Sequence, residues 1–151
     1  MAKLTVGNGI NEYLAELEKL YGSTDKIVGR TIYEGAKIVT DAIHDEIAKL
    51  PESVVTSVQK QGLMDGLGIA KMRTTMMSAD VKVGIDGYNG HVTKKFPNGH
   101  PNALVARSII SGTSWHPQKN DFVGRAVNRS RSQAENIMKK TCDEEIAKIM
   151  R

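Results

Sequence analysis

Apolar positions recur along this chain at helical spacing first, at strand spacing briefly in the middle, and at helical spacing again towards the end. Ile10, Tyr13, Leu14, Leu17, Leu20 and Tyr21 stand three and four residues apart with Glu12, Glu16, Glu18 and Lys19 between them. This predicts an amphipathic helix over 10–21, closed by Gly22. Ser23-Thr24-Asp25 then offers side-chain oxygens to the unpaired N–H groups of a new helix. The stripe of that helix, Ile27, Val28, Ile32, Ala36, Val39, Ile43 and Ile47, runs to Leu50-Pro51, where proline disfavours helix at the residue before it. About 25 residues at 1.5 Å rise make a rod of roughly 38 Å. Thr31, Gly35 and Ala42 beside the stripe are small enough to admit a close neighbour.

Over 52–77 the period is lost. Gly62, Gly66 and Gly68 punctuate Leu63, Met64, Leu67, Ile69 and Met72, and the segment reads as a flexible loop followed by a short helix or strand. The Gly-x-Gly-x-x-Gly order that would cradle a phosphate is absent. Val81, Val83 and Ile85 alternate with Asp80, Lys82 and Asp86, which predicts a half-buried strand over 79–86. Turn signals at Asp86-Gly87 and Asn89-Gly90 lead to the expectation that 91–96 returns as the second strand of a hairpin. Ala103, Leu104, Val105, Ala106, Ile109 and Ile110 mark a buried element over 102–110, and so short a run fits helix or strand. A last helix is expected to start near Asn120-Asp121. Its stripe is Phe122, Val123, Ala126, Val127, Ala134, Ile137, Met138, Cys142, Ile146 and Ile149, and its centre, 128–133, is polar enough to overhang its core or break. The whole predicts one α+β domain over 1–151, a long helix and a C-terminal helix packed on a small antiparallel sheet.

Composition narrows the function classes. A chain of 151 residues suits one domain and needs no disulfide or metal staple, and the single cysteine, Cys142, forms no internal disulfide. No run approaches the ~18 apolar residues of a membrane span, and 1–8 lacks the features of a signal peptide, so a protein made in a cytoplasm is expected. The net charge of +4 is unevenly spread: 1–50 carries 6 basic and 8 acidic side chains, 51–120 carries 8 and 4, and 121–151 carries 7 and 5. His44, His91, His100 and His116 lack the spacing that puts two ligands on one helix face. His44-Asp45-Glu46 is expected on a solvated face, and His91 and His100 are expected to be exposed around the Lys94-Lys95 turn. Cys142 lies on an apolar stripe, where it acts as a small hydrophobe, and no Gly-x-Ser-x-Gly elbow occurs. No catalytic, metal or cofactor site is expected. Arg125, Arg129, Arg131, Lys139 and Lys140 give the alternative of a basic nucleic-acid-binding helix, with only Trp115 and Phe122 near it for base stacking.

The stretch 112–127 is the most informative. A single Trp in a turn, followed by His116-Pro117 and a basic helix, describes an anchored loop in which Trp115 either caps the core or contacts another subunit. Gly35-Ala36-Lys37-Ile38-Val39, Ile109-Ile110-Ser111-Gly112-Thr113-Ser114-Trp115-His116-Pro117 and Phe122-Val123-Gly124-Arg125-Ala126-Val127 together carry a likeness. In them the chain resembles the tail-completion, or head–tail joining (neck), proteins of long-tailed bacteriophages. That family has a strand ending in Gly-Thr, a Pro-containing turn, then Pro-Phe-aliphatic-Arg-Pro-Ala opening a terminal helix. Asp121 and Arg125 stand where its prolines fall, and its Thr-Gly-x-Leu segment is matched loosely by Gln61-Gly62-Leu63. The resemblance implies a non-catalytic virion protein that assembles in the host cytoplasm into a ring, six-fold in expectation. Such a ring joins the head connector to the tail tube, and DNA passes through its lumen without specific binding. It also makes Gly112, Thr113, Trp115, His116, Phe122 and Arg125 the expected packing or subunit-contact residues, and has the loop over 52–77 docking on a neighbouring ring.

Overall fold

The computed structural model describes residues 8–75, 78–113 and 118–150. In chain order they form α1 (Asn8–Gly22), α2 (Thr24–Ala48), α3 (Ser57–Gly66), β1 (Leu67–Ile69), β2 (Arg73–Thr74), β3 (Ala79–Asp80), β4 (Val83–Ile85), α4 (Asn102–Ser111) and α5 (Phe122–Ile149). The fold is α+β, as the patterning predicts: two long helices and a small antiparallel sheet.

Helices α2 and α5 pack antiparallel. Gly35 of α2 lies under Met138 and Ala134 of α5, and Glu46 near the end of α2 meets Arg125 and Arg129 near the start of α5. The small residues on the α2 stripe therefore admit a neighbouring helix. The polar centre of α5 neither overhangs nor breaks. Ser130 is buried there with its hydroxyl donating to the Ala126 carbonyl, and Arg129 turns to α2. Asp121 caps α5 through Oδ1, which accepts from the Gly124 N–H at 2.9 Å. The cap expected from Ser23 is not made. Instead the Thr24 hydroxyl points backwards to the Leu20 and Tyr21 carbonyls and satisfies the end of α1.

The core gathers where α2 ends. Ile43, Ile47 and Leu50 meet Val55, Leu63 of α3, Val105 and Ile109 of α4, and Phe122 and Ala126 of α5. Each large side chain buried there contributes about 1.5–3 kcal/mol. Residues 102–110, open to either assignment in the sequence, are helical, with Val105 and Ile109 one turn apart on the buried face.

The middle of the chain departs from expectation in part. The segment 52–77, read as a flexible loop followed by a short helix or strand, contains both: after a short connection at 50–56 come helix α3 and then the outgoing arm of the hairpin. A capping box starts α3: the Gln59 N–H donates to Thr56 Oγ1, and the Thr56 N–H donates to Gln59 Oε1. Val81, Val83 and Ile85 alternate in burial with Lys82, Gly84 and Asp86 as predicted, but their partner strand precedes them. Leu67 pairs with Ile85 and Ile69 with Val83, so apolar side chains share the inner face. Beyond a break at 70–72, Arg73 and Thr74 pair with Asp80 and Ala79. Residues 91–96 do not return as a strand. Asn89 Oδ1 accepts from the His91 and His100 N–H groups and holds 87–101 as an irregular loop, in which Thr93 and Phe96 close a tight turn on each other.

Gly62 and Gly66, one turn apart on α3, are explained by close packing and not by a ligand. A methyl group on Gly62 would meet the Asn102 and Asn89 side chains, and one on Gly66 would overlap the Asp86 carbonyl. Asn102, almost fully buried, donates from Nδ2 to that carbonyl at 3.0 Å and ties α4 to the base of the hairpin.

Candidate assembly surfaces

Buried carboxylates hold both ends of the α2–α5 pair. The sequence puts Glu46 on a solvated face, yet it is only 8% exposed. Its Oε2 accepts from Arg125 Nε at 3.2 Å and its Oε1 from Arg129 Nη1 at 2.9 Å, and Arg125 also donates from Nη2 to Asn120 Oδ1 at 2.7 Å. At the other end Glu145, on α5, pairs with Arg30 of α2 and with Lys148, each at 2.9 Å. The hydrogen bond from Lys148, helped by the Arg30 charge, holds the Glu145 carboxyl below the ordinary carboxylate range despite the opposing effect of its burial. One carboxylate thus comes from each helix and reaches across to the other, Glu46 to Arg125 and Arg129 and Glu145 to Arg30, pairings that only the antiparallel arrangement allows.

The residues predicted for assembly separate. Phe122 is completely buried in the core, so it packs within the chain and presents nothing to another subunit. Arg125 lies at the surface but is engaged by Glu46 and Asn120. Gly112 ends α4 at φ +74°, a left-handed conformation that glycine adopts without strain. The segment before it is helix, where the phage pattern has a strand. Thr113 follows it at the surface, and Trp115 and His116 lie outside the described residues. Of the two histidines expected to be exposed, His91 is, but His100 is buried with its ring 4.6 Å from that of Phe96.

Two apolar surfaces stand uncovered among the described residues. Along α1, Ile10, Tyr13, Leu14, Leu17 and Tyr21 all point to solvent, Leu14 being 50% and Tyr21 86% exposed. The side of α1 turned to the body carries Glu16 and Leu20. The periodicity thus predicts the helix correctly but not the destination of its stripe. The second surface is a solvent-open groove of about 290 Å³ between α4, the hairpin base and α2, lined by Ile43, Leu67, Val83, Ile85, Ile110 and Val123. Arg107 stands on its wall and is exposed. Nothing in the local sequence announces this groove, because its walls come from five separate elements, α2, β1, β4, α4 and α5.

Among the described residues no group of three or more His, Cys, Asp or Glu is placed to hold a metal ion, and no helix is long and apolar enough to cross a membrane. Compared with known protein families, with curated proteins and with solved structures, the chain matches none.

Proposed function

We propose that this protein is a structural subunit of a bacteriophage virion, which forms a ring at the head–tail junction or tail terminus and joins the connector to the tail tube. The phage assignment rests on the resemblance of 35–39, 109–117 and 122–127. The observation that carries the structural role is the exposed apolar face of α1. Contiguous apolar surface of this kind marks a site of protein contact, and a ring subunit covers it with its neighbours. The partners are further copies of this chain, six in the expected ring, and the connector and tail-tube proteins on either side.

Sedimentation velocity and negative-stain electron microscopy of the purified chain test this. The expected result is a closed ring. A monomer throughout the micromolar range would overturn it. The nucleic-acid alternative keeps Lys94, Lys95, Arg131, Lys139 and Lys140 at the surface, whereas Arg125 and Arg129 are held by Glu46. DNA affinity that falls steeply with salt and persists in a monomer would favour it.

A further inference from the structure

We infer that the apolar face of α1 on one copy seats in the groove beside α4 on the next, so that successive copies join head to tail. This rests on the ring reading and deepens it by naming the two surfaces in contact.

Three observations lead to it. First, the surfaces match in kind. A helix of this length presents its stripe, from Ile10 to Tyr21, over about 17 Å, and an apolar helix face of this kind docks in an apolar groove through side chains at three- and four-residue spacing. The groove is an open apolar concavity that the same chain offers, walled by aliphatic side chains of the hairpin base, α2, α4 and α5.

Second, the charges complement each other. Glu12 and Glu18 flank the α1 stripe at the surface, and neither they nor Glu16 forms an ion pair among the described residues. Arg107 on the groove wall is likewise unpaired there, and it is the one charged residue of α4. Glutamates beside one bare apolar surface and an arginine beside the other are opposite in sign, and both are at the surface to meet across a contact between copies.

Third, the two surfaces lie towards opposite ends of the molecule. Helix α1 joins α2 through Ser23 at the N-terminal end of α2, whereas the groove takes Ile43 near its C-terminal end and Val123 from the start of α5. From Arg30, which pairs with the far end of α5, to Ile43 the helix rises about 20 Å. A contact between two different patches at opposite ends is heterologous, and its repetition gives a closed ring or an open filament according to the rotation at each step.

Cysteine trapping tests the pairing. In a Cys142→Ser background, one preparation carries Leu17→Cys and another Ala103→Cys, the latter an exposed position on the groove lining. Mixed and oxidised, the two are expected to yield a disulfide between unlike copies, whereas either alone stays largely uncross-linked. Cross-linking of Leu17→Cys to itself, or none in the mixture, overturns the inference. As an independent measure, Arg107→Glu is expected to raise the concentration needed for association by about ten-fold, since it sets like charges together. An unchanged association constant, with an unchanged circular dichroism spectrum, also overturns it. The outcomes separate the two proposals: unlike copies trapped without a closed ring uphold the contact and sink the ring, and a ring without the trapped pair does the reverse.

Discussion

Glu46 shows how a charged residue inside an apolar stripe is to be understood. It falls between Ile43 and Ile47, at positions that face α5, and two arginines four residues apart on α5 close over it. Removing its charge leaves both guanidinium groups in water rather than buried, so the cost is below that of a fully buried pair. Glu46→Gln is expected to lower stability by about 1–2 kcal/mol in urea denaturation. Phe122→Ala, which empties a fully buried site, is expected to cost more, about 3–5 kcal/mol by the same measurement. Glu145 gives a dependence on pH. Its folded pKa is depressed by Lys148 and Arg30, so its stabilisation is complete above an unfolded value of about 4.3 and disappears as pH falls through the lower folded value. In Glu145→Gln the loss of stability over that acid range is expected to be shallower than in the parent, as followed by denaturant midpoints at stepped pH.

At the scale of elements, α3 and the hairpin are joined by backbone that only glycine tolerates. Gly66→Ala forces a methyl group onto the Asp86 carbonyl and is expected to cost about 1–3 kcal/mol. Gly68→Ala, two residues on with open space around it, is expected to leave the thermal midpoint nearly unchanged. Nothing in the sequence tells these two glycines apart, whereas the longer elements declare themselves. Helices α1, α2 and α5 are legible because apolar residues recur over three turns or more, and the alternation of Val81, Val83 and Ile85 is legible as a strand. Helix α3 is legible only as a short helix or strand after a loop, although Thr56 and Gln59 stand at capping-box spacing, because glycines interrupt the apolar residues that follow them. The partner of β4 is misplaced because turn residues at 86–90 suggest a return that Asn89 prevents by taking two backbone N–H groups onto its side chain. Burial of Glu46 and the groove beside α4 depend on residues far apart in the chain, which no local pattern reports.

At the scale of the molecule, the basic rear half expected from the charge count is partly neutralised. Arg125 and Arg129 answer Glu46, while Lys94, Lys95, Arg131, Lys139 and Lys140 remain at the surface. Trp115→Ala, suggested by the resemblance at 109–117, is expected to leave the circular dichroism spectrum intact and reduce the assembled fraction in sedimentation. A fully unfolded variant would assign Trp115 to the core instead. The antiparallel α2–α5 pair has a kinetic consequence as well. Helix α2 precedes the helix that covers it by the whole of 49–121, so its inner face waits for that long loop to close. Loop-closure entropy then weighs on the folding rate more than on stability. If the Glu46 clamp forms only after that closure, Glu46→Gln accelerates unfolding and leaves the folding rate unchanged. If the clamp guides the closure, the folding limb slows instead.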